Sequence, residues 1–344
     1  VDQISWPAWE LFPVEKYLET SDYHGVNRGR SIPMLATRGC PYQCTFCSNP
    51  AMWSTKYVTR SPKEVVREMK YYVERYRIDN VNFCDLTAII KKEWILEFCG
   101  MLKKEKLNIT WQLPSGTRSE ALDEEVLRQV YETGCRNITY APENGSERVL
   151  EAIKKKVRLP KMLESLKAAS RASLVTRVNI IIGHPAELRS DHWKSIKFLI
   201  HCALLGCQDV AVMIFVPYPG SEDTKRLIEQ GKLEITEGYY YLPLARSGRS
   251  SKTFNPVMGR RELVAMQFFM LVVFYSVAYL THPWRILTVI RSLVTGREET
   301  QLDQLIRTKI QRYAKAYKAL KGMRLFHHRT FRRHSVAKGM GSSL

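Results

Sequence analysis

From Ile32 to Val216 the chain alternates two kinds of hydrophobic pattern. Short apolar runs, rich in β-branched and aromatic residues, stand at Ile32–Thr37, Asn80–Cys84, Asn108–Leu113, Asn137–Ala141, Val175–Gly183 and Asp209–Val216. Runs of this length and composition read as strands buried on both faces. Between them, apolar residues recur every three or four positions, as on one face of a helix: Val65–Tyr76, Glu93–Glu105, Asp123–Gly134, a segment from Ser146, and Asp191–Gly206. Ser61 before Pro62 reads as the start of the first of these helices. Strands that alternate with helices predict a parallel sheet with right-handed crossovers. The fold class is therefore α/β, and six such units predict a partial (βα)6 TIM-like barrel.

The pattern changes on either side. Residues 1–30 form an irregular lead-in rich in aromatics, Pro and Gly, the barrel takes residues 31–235, and residues 236–344 form a mostly helical, basic region. After a loop-rich stretch from Gly231 to Arg260, Leu263–Leu280 runs 18 residues without a charge, between Arg260–Arg261 and Trp284–Arg285. That is at the lower limit for a membrane span, and Gln267, Ser276 and two tyrosines favour a buried or membrane-surface helix. The net charge is +19, and eleven Lys and Arg with no acid follow Asp303. In that tail Leu302, Leu305, Ile306, Ile310, Tyr313, Tyr317 and Leu320 recur at helical spacing, beside Arg307, Arg312, Lys315 and Lys318. Such a helix either lies in an anionic membrane interface or packs on the barrel with its basic face in water. Nucleic acid is the weaker partner, since no RNA-binding module follows the barrel.

Eight cysteines in 344 residues are too sparse for a disulfide framework and suggest a reducing cytosol. Three of them, Cys40, Cys44 and Cys47, are spaced C-x3-C-x2-C on the loop after the first strand. A structural zinc site wants four ligands. Three thiolates on one loop instead suit three irons of a [4Fe–4S] cube and leave the fourth iron open. Other reactive or turn-forming residues also follow strands: Asp85, Glu143, Gly183, Pro185 and Pro217–Gly220. In α/β barrels that end of the strands carries the chemistry.

The C-x3-C-x2-C spacing with Phe46 before its last cysteine, followed in order by NFCDL, GCRNITYAPENGSERVL, VNIIIGHP and PYPGSE, resembles the radical S-adenosylmethionine (SAM) superfamily. The resemblance covers about residues 30 to 235. It implies that Cys40, Cys44 and Cys47 hold the cluster and that the open iron binds the amine and carboxylate of SAM. One-electron cleavage of SAM then yields a 5′-deoxyadenosyl radical that abstracts hydrogen from a substrate. It further implies cofactor contacts for Phe46 (adenine), Glu143 (polar groups of SAM) and Asp85, with Gly183, Pro185, Tyr218 and Gly220 admitting the adenosine. Leu86 stands where relatives often carry a second acid.

The lead-in WPAWELFPVEKY and the segment MGRRELVAMQFFMLVVFY resemble the cobalamin-binding branch, whose members modify hydrophobic, lipid-like or tetrapyrrole substrates. The cobalamin motif D-x-H-x-x-G fails here, because Asp22 and His24 are followed by Asn27 where the glycine should be. Cobalamin is therefore expected only through a domain absent from this chain, and the start at Val1 suggests a piece of a longer protein. An electron donor such as flavodoxin or ferredoxin is implied as a partner. The expected location is cytoplasmic, with a peripheral seat at the inner face of the membrane. An RNA-modifying radical enzyme and a non-catalytic electron carrier are the competing readings.

Overall fold

The computed structural model describes residues 1–19, 24–87, 89–245, 252–296, 298–310 and 312–313. In chain order the strands are β1 (Ser31–Met34), β2 (Thr37–Arg38), β3 (Val58–Thr59), β4 (Asn80–Phe83), β5 (Thr110–Thr117), β6 (Cys135–Glu143), β7 (Val175–Ile182) and β8 (Asp209–Ile214). The helices are α1 (Val14–Glu19), α2 (Asn49–Met52), α3 (Pro62–Tyr76), α4 (Lys92–Glu105), α5 (Glu124–Glu132), α6 (Glu147–Ala152), α7 (Leu159–Arg171), α8 (Arg189–Leu204), α9 (Glu222–Glu229), α10 (Arg260–Thr281) and α11 (Arg285–Thr295).

Six strands form one parallel sheet in the order β1-β4-β5-β6-β7-β8, and β2 and β3 form a small antiparallel pair. Sheet order follows chain order, as crossover connections with intervening helices require. The partial barrel of six strand–helix units is thus present, with a helical C-terminal region. Its core is aliphatic and aromatic: Trp111, Tyr140, Phe98 and Ile138 are fully buried, and Phe83, Phe98 and Trp111 meet edge to face.

The first predicted strand, Ile32–Thr37, is in fact two. The break has a chemical cause. Buried Asp85, at the end of β4, accepts the Ala36 N–H at 3.0 Å and both the N–H and hydroxyl of Thr37 at 2.5 Å. These groups are drawn off the ladder, and the chain turns into the cysteine loop. The helix predicted to run to Gly134 stops at Glu132, and Gly134 takes φ +98° directly beneath the Ile109 carbonyl. The lead-in is less irregular than expected, with a 3-10 turn at Trp9–Leu11 and α1. So is the stretch after Gly231, where Glu237–Ala245 forms 3-10 helix.

α10 is the one helix among the described residues that is long and apolar enough to cross a membrane. It packs on α8 and β8 through Leu263, Met270, Phe274 and Ala278, all buried. Gln267 donates to the Val212 carbonyl at 2.7 Å, and the Tyr275 hydroxyl donates to Asp209 at 2.6 Å. The opposite face, with Phe268, Val272 and Leu280, is exposed. Residues 301–310 continue as helix. At their start, the Glu299 carbonyl accepts from Asn137 at 2.9 Å and the Gln301 N–H donates to Asp209 at 3.1 Å, so this segment lies against the start of β6 and β8. The rest of the predicted tail stripe, Lys315, Tyr317, Lys318 and Leu320, lies outside the described residues.

Phe274→Ala should cost about 3–5 kcal/mol in urea unfolding, the range for a buried aromatic. Phe268→Ala, on the exposed face, should cost less than about 1 kcal/mol. Equal small losses would mean that α10 is not part of the folded barrel.

Candidate active site

The cysteine loop leaves β2 through Gly39, which takes φ +76°; a Cβ there would run into the Lys56 carbonyl oxygen. Only glycine meets both conditions. Cys44 is buried and Cys40 and Cys47 are partly so, and all three are free thiols. The Cys47 sulfur accepts the Asn49 N–H at 3.4 Å, and the Asn49 side chain donates to the Cys40 carbonyl at 3.2 Å. Burial pushes the Cys44 and Cys47 thiols up. Metal coordination is the ordinary way to hold such sulfurs as thiolates. Among the described residues, no three His, Cys, Asp or Glu side chains converge on one ion. A cube asks for something else, one iron per sulfur. Three free thiols on a loop of fixed shape, with a backbone donor already on one sulfur, fit that group.

Phe46, Glu143 and Cys44 meet through a residue that sequence reasoning missed. The Lys155 amine lies 3.0 Å from the Glu143 carboxylate and 5.9 Å from the centre of the Phe46 ring. Burial works to lower the Lys155 pKa, but the Glu143 carboxylate and the neighbouring Cys44 outweigh it and raise it. Glu143 is buried at the end of β6 and holds φ +71°, rare for a residue with a side chain. Lys155 sits within the run Lys154–Lys156, which looks like a solvated charge cluster in the sequence. Only its position after α6, under the loop, distinguishes it.

A second group is also new. The Thr45 hydroxyl, in the cysteine loop, donates to Asp223 at 2.8 Å, and Asp223 in turn binds His184 Nε2 at 2.8 Å. His184 Nδ1 accepts the Ala186 N–H at 3.1 Å, so the ring proton sits on Nε2 and points at Asp223. Asn255 donates to the His184 carbonyl at 2.8 Å. Burial raises the Asp223 pKa, yet His184 and Thr45 outweigh it and hold it low. This chain ties the loop to the ends of β7 and α9. His184 was in plain view in IIIGHP, but nothing in the sequence paired it with Asp223.

The remaining expected residues are in place on the same end of the sheet but are occupied differently. The Asp85 carboxyl is committed to Ala36 and Thr37; burial lifts it to about 6 against those hydrogen bonds. Gly183, at φ +78°, gives its N–H to buried Glu187, and a Cβ on it would lie 2.7 Å from Leu263 of α10. Its missing side chain therefore makes room for α10. Glu187 also accepts from Asn144 at 2.9 Å, which locks the turns after β6 and β7 together. Pro185 is half-buried in the latter turn. The Tyr218 carbonyl accepts from the Thr224 hydroxyl at 2.6 Å, and exposed Gly220, at φ +79°, passes over Ala51 of α2.

Gly39→Ala should leave anaerobically reconstituted protein with less than half the wild-type iron, measured colorimetrically per chain. Gly100→Ala, in α4 with no neighbour near its Cβ position, should retain full iron. Full iron in Gly39→Ala would show that the loop shape does not govern the thiols.

Comparison with known proteins gives the same picture. Residues 34–199 match the Radical SAM superfamily family model. Cytidylyl-2-hydroxyethylphosphonate methyltransferase of Streptomyces wedmorensis is 30% identical over 247 residues, 70% of this chain and 46% of that protein. Anaerobic magnesium-protoporphyrin IX monomethyl ester cyclase of Rubrivivax gelatinosus is 27% identical over 183 residues, 53% of this chain and 32% of that protein. The cobalamin-dependent S-adenosylmethionine radical enzyme OxsB superposes with TM-score 0.53 at 12% identity, over 82% of this chain and 49% of that one. The chain spans about half the length, or less, of the curated relatives it matches. The matched segment contains the three thiols, Phe46, Glu143 and Lys155 together, and a [4Fe–4S] cluster with SAM is what this family implies: the chain carries a domain of the radical S-adenosylmethionine superfamily.

Proposed function

We propose that the protein is a radical SAM enzyme that methylates or cyclises a hydrophobic, lipid-like or tetrapyrrole substrate. The observation that carries the catalytic part is the convergence of Phe46, Glu143 and Lys155 beside Cys44. An electron carrier would need the thiols but not a buried amine–carboxylate pair next to an aromatic face. With cluster and SAM bound, one-electron cleavage would supply a 5′-deoxyadenosyl radical. Cys40, Cys44 and Cys47 would hold the cluster, Lys155 the SAM carboxylate, Glu143 its polar hydrogens and Phe46 the adenine. Asp85 and the Thr45–Asp223–His184 chain would keep the loop in register, and burial of the site would exclude water.

The substrate class rests on separate support. A cleft of about 520 Å³ lies between the lead-in and β1, with Gly39, the neighbour of Cys40, in its wall. Trp6, Trp9, Met34, Trp53 and Leu86 make it mostly apolar, and Arg38 adds a cation suited to a carboxylate, whereas Arg60 in the same wall is already paired with buried Glu68. Such a mix of apolar walls and a few polar groups is usual for small-molecule sites. The relatives' names point the same way in part: one is a tetrapyrrole cyclase, whereas the other methylates a phosphonate. Cobalamin would enter through a domain outside this chain. A seat at an anionic membrane is part of the reading, supported by the exposed Trp284, Leu287 and Val294 of the α11 region beside the apolar face of α10.

Anaerobically reconstituted protein should hold about four irons per chain, as a cube requires. Alanine at Cys40, Cys44 or Cys47 should abolish this, and Cys202→Ala should not. With dithionite and SAM, the loaded protein should release 5′-deoxyadenosine. Lys155→Met should lower that release about tenfold or more, as expected when a charged hydrogen-bond partner is lost from a buried site. A fully loaded wild-type cluster that yields no 5′-deoxyadenosine would favour the electron-carrier reading.

A further inference from the structure

The cleft between the lead-in and β1 carries one charge that nothing in the protein answers. Two acids stand in its wall or between wall residues, and both are spent internally. Glu68 is buried, pairs with Arg60 and accepts the Tyr72 hydroxyl at 2.6 Å. Asp85, between the wall residues Cys84 and Leu86, is committed to Ala36 and Thr37. Arg38 is left over. It is half-buried in the same wall, and its guanidinium enters no ion pair or hydrogen bond among the described residues.

The guanidinium stands over the Trp53 ring, 5.3 Å from its centroid, and Trp53 lines the cleft as well. A ring face steadies such a cation by about 0.5–1 kcal/mol near the surface, but it leaves the N–H fork without acceptors. The base of the side chain is fixed. Arg38 lies opposite Val58 in the β2–β3 pair, Asp85 holds Thr37 before it, and Gly39 turns the chain into the cysteine loop after it. The fork is thereby tethered two residues from Cys40.

We propose that Arg38 is the specificity-determining residue of this cleft and selects an apolar molecule that ends in a carboxylate; the inference rests on the reading of the cleft as the substrate site. A guanidinium fork takes the two carboxylate oxygens through parallel, charge-assisted hydrogen bonds. Trp6, Trp9, Met34 and Leu86 cover the apolar body. An uncharged analogue of the same shape gains the same apolar contacts but leaves the fork unpaired against an apolar wall, and is rejected for that reason. A flat ring and an unbranched chain offer the same chemistry to Arg38, so both bodies enter the test.

The test uses the cluster-loaded chain and two matched pairs of probes, pyrenebutyrate with pyrenebutanol and dodecanoate with dodecanol, their affinities measured by equilibrium dialysis. For at least one pair, wild type should bind the acid about tenfold or more tightly than the alcohol, as a charge-assisted fork implies. The pair that shows the preference identifies the body as ring or chain. Arg38→Gln should bind that acid no better than its alcohol. Its affinity for the alcohol should stay near the wild-type value, which also shows that the cleft is folded. Arg38→Lys keeps the charge without the fork and should recover only part of the preference. Lys104→Gln, exposed on α4, should match wild type. Acid and alcohol bound equally by wild type, neither acid bound at all, or a preference that survives in Arg38→Gln would each overturn the assignment. Release of 5′-deoxyadenosine from wild type with dithionite and SAM separates the two readings. An Arg38-dependent preference in a protein that releases none would support the carboxylate site and overturn the radical reading instead.

Discussion

The loop from Gly39 to Ser48 carries three thiols without a strand or helix of its own, so its shape depends on buried carboxylates that reach it from elsewhere. Asp85 holds the entry by taking the Ala36 and Thr37 donors, and Asp223 holds the middle through Thr45. Burying a carboxylate is costly unless donors surround it. Here each has them: backbone and hydroxyl groups for Asp85, hydroxyl and imidazole for Asp223. The two acids come from the ends of β4 and the start of α9, on opposite sides of the open sheet. The closed shape of the loop is therefore a property of the whole barrel. The Lys155–Glu143 pair joins the same frame, since the turn after α6 carries Lys155 to the end of β6.

Much of this was legible in the sequence. Six short apolar runs with helical stretches between them have few alternatives to a parallel sheet, and the spacing of Cys40, Cys44 and Cys47 singles out the loop after the first strand. What was not legible depends on contacts between distant segments. Asp85 was visible as an acid after a strand, but that its oxygens face backwards, to the break between β1 and β2, follows only from the register of β1 with β4. Gly183 was visible as a turn glycine, while the side chain that needs its space, Leu263, lies eighty residues on. Lys155 was hidden by its neighbours, because three consecutive lysines give no sign of which one points inward. The uncharged run Leu263–Leu280 was ambiguous by composition, and its packing on β8 is decided by Gln267 and Tyr275, the polar residues that weakened a membrane reading.

The buried Lys155–Glu143 pair and the Phe46 ring lie together near Cys44, and the apolar cleft opens beside the entry of the loop, at Gly39. The relatives act on chemically different molecules, and this chain spans about half their length or less. The shared barrel accounts for what is common to them, and the cleft-forming lead-in and C-terminal helices are where this chain can differ.

The central claim is that the three thiols leave one iron open for SAM. Electron–nuclear double resonance on the reduced, loaded protein with SAM carrying 15N at its amine and 17O at its carboxylate tests it directly. The account predicts hyperfine coupling of both labels to the cluster, lost when Cys44 is replaced by alanine. A reduced [4Fe–4S] signal that shows no coupling to either label would mean that the fourth iron is closed, and would contradict the account.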